Sequence, residues 1–114
     1  MTDCLFCKIV AGEVPAEIVR ESERAVAFRD INPQAPTHVL VVPRAHHPNA
    51  AALAAADPAS LAEVVAEAHQ VAVGDGVADG GYRIVFNTGR EAGQTVFHVH
   101  AHVLGGRGLN WPPG

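Results

Sequence analysis

Between Thr95 and Leu104 the chain reads Thr-Val-Phe-His-Val-His-Ala-His-Val-Leu and stops at Gly105-Gly106. In an extended strand, side chains alternate between the two faces. The spacing therefore predicts a last strand over 95–104, with Phe97, Val99, Ala101 and Val103 toward a core. His98, His100 and His102 would share the opposite face. A strand this apolar on one face must be covered, so the chain needs a sheet with a packing layer on it.

The rest of the sequence supplies those parts. Asp3–Ala11, ending at Gly12, reads as a short helix. Ile18–Glu21 and Ala25–Arg29 read as two strands joined by the short turn Ser22-Glu23-Arg24. Asp30–Pro36 is a turn-rich loop, stiffened by two prolines. His38–Val42 is a buried strand, ended by Pro43. Asp57-Pro58 is a helix start, with Asp as N-cap and Pro in the first turn. Leu61, Val64, Val65, Ala68 and Ala72 then follow helical spacing, with Glu63, Glu67 and Gln70 opposite. Gly74 and Gly76 end this long helix. Gly81–Asn87 reads as a strand, and Thr88–Gln94 as a glycine-bearing loop. The sum is an α+β fold: about five strands in an antiparallel sheet, one long helix and a short N-terminal helix, in a single domain over 1–114.

Composition narrows the function. The net charge is −4 and no run of Lys or Arg occurs, which argues against nucleic acid or a membrane surface as partner. The longest apolar run, Ala50–Ala56, is mostly alanine and far too short to span a bilayer. Met1-Thr2-Asp3-Cys4 has neither a basic nor an apolar leader region. With only two cysteines, three positions apart, a cytoplasmic setting is expected.

Seven histidines remain to be explained. Three in a row on one strand face are not a packing solution. A solvated face is one reading. A metal site is another, because His-x-His puts two ligands near one ion. All three cannot easily share a metal, since the outer Cα atoms lie roughly 13 Å apart in a strand. Chemistry is the third. Imidazole is largely neutral and nucleophilic near neutral pH, and a neighbouring ring can hand a proton to a leaving group. The preceding Gly93-Gln94-Thr95-Val96 favours it, with backbone N–H groups beside a hydroxyl that would suit phosphate oxygens.

His98-Val99-His100-Ala101-His102-Val103-Leu104 matches the pattern His-φ-His-φ-His-φ-φ, with φ hydrophobic. On this motif the chain resembles the histidine-triad superfamily, and within it the nucleotide-binding branch. The likeness extends to Phe6-Cys7-Lys8-Ile9, Phe28-Arg29-Asp30-Ile31, Pro36-Thr37-His38, the Asn87–Gln94 loop, Gly105-Gly106-Arg107 and the closing Trp111-Pro112-Pro113-Gly114. That ending resembles the phosphoramidase branch.

The resemblance implies a hydrolase of purine nucleoside 5′-phosphoramidates, of the adenosine 5′-monophosphoramidase type. His100 would attack the α-phosphorus and carry a covalent nucleotidyl group, which water then releases as the monophosphate. Splitting one hard displacement into two easier ones is the logic of nucleophilic catalysis. The carbonyl of His98 would orient the His100 ring. His102 would contact phosphate and leaving group, Thr95 would hydrogen-bond the phosphate or bridging atom, and His38 would support the triad. Asn87, Gly93 and Val96 would contribute further phosphate contacts. Asp30 would bind the ribose hydroxyls, and Leu5, Phe6, Ile9, Phe28 and Ile31 would sandwich the purine; on their own these apolar residues read equally as core. Trp111 would reach a partner subunit's site, which implies a homodimer.

Cys4 and Cys7 read as zinc ligands, as two thiols or as a small disulfide loop. The resemblance implies structural zinc, completed by His46 (or its neighbour His47) and His98. His69 has no assigned role. Two alternatives stay open: a dinucleoside polyphosphate hydrolase, against which the Trp-Pro-Pro-Gly ending argues, and a non-catalytic nucleotide- or protein-binding module.

Overall fold

The computed structural model describes residues 3–114; Met1 and Thr2, part of the N-terminal stretch considered above, lie outside the described residues. In chain order the elements are α1 (Leu5–Val10), β1 (Ile18–Glu21), β2 (Ala25–Arg29), β3 (Thr37–Pro43), α2 (Ala50–Ala56), α3 (Pro58–Gly74), β4 (Tyr82–Val85), a 3-10 turn (Arg90–Ala92) and β5 (Ala101–Gly105). The five strands form one antiparallel sheet in the order β1-β2-β3-β5-β4. The expected α+β architecture is present.

Strand alternation gives the sheet two different faces. Ala25, Ala27, Val39, Val41, Ala101 and Val103 pack under Val64, Ala68 and Val71 of α3. Val26, Phe28, Leu40 and Val42 point the other way and pack with Phe6 and Ile9 of α1. Every residue of β3 is consequently buried. Burying a Val, Leu or Phe side chain stabilises by about 1.5–3 kcal/mol, so these two layers supply the main drive to fold.

The long helix starts as expected. The Asp57 side chain accepts from the Ser60 N–H, and Pro58 sits in the first turn. Its buried stripe is rotated from the expected one. Ser60, Val64, Ala68, Val71 and Ala72 are inside, whereas Val65 is 42% exposed. The acidic positions are not simply solvated: Glu67 pairs with Arg20, and Glu63 accepts from the Ser22 hydroxyl and the Arg24 N–H. Those bonds tie α3 to the β1–β2 hairpin and turn the helix toward it.

Two further differences matter. Ala50–Ala56 forms α2, capped by Asn49, whose side chain accepts from the Ala52 N–H. Alanine all round gives no apolar stripe to read, and only Leu53 is buried in it. The last strand is also shorter than expected. It begins at Ala101, and Phe97 is 45% exposed rather than in the core. Among the described residues no helix is long and apolar enough to cross a membrane.

Candidate active site

All three histidine rings lie on the α1 side of the sheet, as alternation predicts: Phe6 of α1 stands edge to face with both His98 and His100, at 6.1 and 4.9 Å, and the His100 and His102 rings are 5.0 Å apart. His100 and His102 line a cavity of about 360 Å³ on the α1 side of the sheet, and His98 does not. That volume lies within the range of small-molecule sites. The rest of the lining is mostly apolar, with Arg29, Asp30 and Thr95 as its other polar residues. Phe6 and Phe28 stand edge to face at 5.5 Å, with Ile9, Leu40 and Val96 around them. Leu5 and Ile31, 45% and 100% exposed, form the rim with Asp30 and Thr95. Phe6, Ile9 and Phe28 thus serve the core and the cavity at once.

Each ring in the site has its tautomer set by a neighbour of known polarity. The Nδ1 of His100 lies 2.8 Å from the His98 carbonyl, which can only accept. His100 therefore carries its proton on Nδ1 and keeps a lone pair on Nε2. The N–H of Gln34 donates to Nδ1 of His38 at 3.0 Å, so the His38 proton is on Nε2. That Nε2–H lies 3.0 Å from Nδ1 of His102, which accepts it. His102 is left with its proton on Nε2, the nitrogen available to a ligand. The rings of His100 and His102 are 5.0 Å apart by centroid.

Burial holds these rings neutral. It lowers His38 and His100 below the ordinary 6.5, against the opposing pull of the Asp30 carboxylate on both and of the His98 carbonyl on His100. His102 is lowered to about 4, first by burial and then by the neighbouring His100 and His38. The 3.4 Å approach of Asp30 to His38 is accordingly a contact with a neutral ring, not an ion pair. Asp30 Oδ1 accepts from the Asn32 N–H at 2.8 Å, which holds the carboxylate at the rim.

The loop before the triad is held by a residue to which the sequence had assigned no role. Gln94 is 3% exposed; its amide donates to the carbonyls of Pro48 and Val96, and its oxygen accepts from the Gly89 N–H. Its signal was only a polar residue between glycine and an apolar run. Gly93 adopts φ +90°, which glycine alone accepts readily, and lies outside the cavity lining. Asn87 borders a separate hollow shared with His38 and His102. Trp111 is 82% exposed and off the cavity in this single chain. His69 bonds the Tyr82 hydroxyl at 2.6 Å, joining α3 to β4.

His98 is fully buried and belongs to a different cluster. Its Nε2–H donates to the Pro43 carbonyl at 2.8 Å, which leaves the Nδ1 lone pair facing Cys4 and Cys7, each at 3.4 Å. Nδ1 of His46 lies 3.4 Å from Cys7 and 3.2 Å from Nδ1 of His98. It is His46, not His47, whose ring joins the group; the His47 carbonyl instead accepts from Val99. A tetrahedral zinc with ordinary bond lengths has N···N edges of about 3.3 Å and S···N edges of about 3.5 Å. The four donors fit that spacing and that chemistry.

Comparison with known proteins agrees with this architecture. The family model "HIT domain" matches residues 11–109. The chain belongs to the HIT domain family. It is 41% identical to the purine nucleoside phosphoramidase of Escherichia coli K12, over 94% of this chain and 90% of that protein. A solved HIT family hydrolase from Legionella pneumophila superposes with a TM-score of 0.94 at 46% identity, covering 98% of this chain and all of the other. A histidine triad nucleotide-binding protein from Candida albicans superposes with a TM-score of 0.83 at 30% identity, covering 96% and 83%. Within this HIT chain the three histidines are split in role: two rings face the cavity and one faces the thiols.

Proposed function

We propose that this HIT protein hydrolyses the P–N bond of purine nucleoside 5′-phosphoramidates through a nucleotidyl-His100 intermediate. The observation that carries this reading is the His100 ring, held by the His98 carbonyl with Nε2 unprotonated at an apolar cavity. The 41% identity to a purine nucleoside phosphoramidase supports the substrate class. In the first step His100 Nε2 bonds to the α-phosphorus as the P–N bond breaks. The electron pair leaves with the amine nitrogen, to which the Nε2–H of His102 donates a hydrogen bond and which takes its proton from solvent. In the second step water attacks phosphorus, the P–N bond to His100 breaks, its electron pair returns to Nε2, and the water's proton goes to solvent. The sum is phosphoramidate plus water to monophosphate plus amine. Asp30 accepts from the ribose hydroxyls, the Phe6, Ile9 and Phe28 wall packs on the purine with Leu5 and Ile31 at the rim, and Thr95 and the Val96 N–H contact phosphate. Asn87 and Gly93 sit farther off, and direct phosphate contact from them requires the loop to move on binding.

One zinc ion on Cys4, Cys7, His46 and His98 belongs to the same reading. Bound there it cross-links α1, the segment after β3 and the triad segment, a structural contribution with no part in the displacement. A homodimer belongs to it as well, bringing Trp111 of each subunit to the other's site. The exposure of this indole supports that reading.

The deciding experiment compares kcat/KM on adenosine 5′-monophosphoramidate and on a dinucleoside polyphosphate, with sedimentation to give the oligomeric state. Preference for the phosphoramidate is expected. Preference for the polyphosphate overturns the substrate class, and AMP binding without turnover of either overturns the enzyme reading.

A further inference from the structure

The α3 side of the sheet carries a bonded cluster that the displacement does not use. Asp75, the residue after α3, turns its carboxylate onto the strands. Its oxygens accept from Arg29 Nη1 and Nη2 at 2.6 and 2.9 Å, and Oδ2 also accepts from the Thr37 hydroxyl at 2.9 Å. The position of Asp75 is itself determined by the helix stop. Its N–H bonds the Val71 carbonyl, Gly76 takes φ +74°, and the Val77 N–H returns to Ala72.

Side chains alternate along β2 and β3, so the residues following Arg29 and Thr37 face the cavity side. Those residues are Asp30 and His38. The two strands are bonded at this point, the Asp30 N–H donating to the His38 carbonyl at 3.0 Å. One carboxylate on the helix side therefore grips both strands one residue before Asp30 and His38. Asp75 does not line the cavity. Its bonds are of the ordered kind: a two-pronged guanidinium–carboxylate contact plus the hydroxyl of Thr37, a residue only 3% exposed.

We propose that Asp75 is a positioning residue for nucleoside recognition: by clamping Arg29 and Thr37 it sets the spacing of Asp30 and His38, and with it the preference for a ligand carrying a 2′,3′-diol. This rests on the assignment of Asp30 to the ribose made above. A carboxylate that serves stability alone would weaken every ligand alike, whereas this clamp, acting through Asp30, weakens a ligand that carries the diol more than one that lacks it.

The test measures calorimetric affinities for AMP and 2′,3′-dideoxy-AMP, which do not depend on turnover. Wild type is expected to prefer AMP, and Asp30→Asn to lose that preference. Asp75→Asn keeps the shape and removes the charge. It should weaken AMP by about fivefold to tenfold and leave the dideoxy ligand within about twofold. Thr37→Val, which preserves both fold and charge, should shift the ratio the same way by about two- to threefold, and it decides the matter if Asp75→Asn does not fold. A wild-type ratio in both variants, or equal loss of both ligands, overturns the role of Asp75. A wild-type protein that binds both ligands equally, with Asp30→Asn doing the same, overturns the Asp30 assignment and this inference with it.

Discussion

Lowering the pH should leave His102 neutral long after an ordinary histidine has charged. An exposed imidazole titrates near 6.5; His102, crowded by His100 and His38 in a buried setting, titrates at about 4. At pH 5 a free histidine is about 97% protonated, and His102 should be about nine-tenths neutral. The sign of the stability effect follows from linkage. The unfolded chain binds this proton and the folded chain refuses it. Stability is therefore full above about pH 6.5 and falls as the pH drops toward about 4. The gap between the two values corresponds to about 3 kcal/mol. Because His102 is only part-buried, solvent screening brings its share down to roughly 1–2 kcal/mol. His38 is shifted in the same direction and adds to the slope. The assay is an NMR titration of the ring signals, paired with urea unfolding at pH 7.5 and 4.5 for wild type and His102→Gln. The variant should lose part of the wild-type slope. A His102 midpoint between 6 and 7, or a slope unchanged in His102→Gln, would refute the reasoning.

Other consequences can be checked as directly. His100→Ala should abolish phosphoramidate turnover while AMP still binds; retained wild-type activity removes the covalent step. Gln94→Ala deletes three hydrogen bonds from a buried amide, a loss of about 2–3 kcal/mol in urea unfolding. It should also slow turnover by loosening the Thr95–Val96 segment, and full activity would separate the loop from the site. Protein purified without chelator should carry about one zinc per chain and Cys7→Ser much less, with a lower Tm. Below about 0.2 equivalents in wild type, measured by elemental mass spectrometry, the zinc assignment fails.

Local pattern made much of the fold legible. Ile18–Glu21 and Ala25–Arg29 stand where the alternation put them, and Asp57-Pro58 starts the long helix as its capping chemistry requires. Alpha2 was hidden because a run of alanines has no direction. The rotated stripe of α3 was hidden because Glu63 and Glu67 choose partners on a hairpin some 40 positions away in sequence. The tautomers of His38 and His102 were equally out of reach, since they depend on a backbone N–H four residues away and on a ring 64 positions distant.

The histidine-rich segment marks the division between the two levels. Its residue types alone specified that imidazole chemistry would meet a sheet, because alternating apolar residues demand burial and no packing role accounts for the rings between them. Tertiary structure decided what each ring faces. All three rings lie on the α1 side of the sheet, but His98 meets Cys4, Cys7 and His46, while His100 and His102 face the cavity. Where a side chain points within a strand is a local property. Which distant donor or carbonyl then sets its proton is a property of the packed molecule.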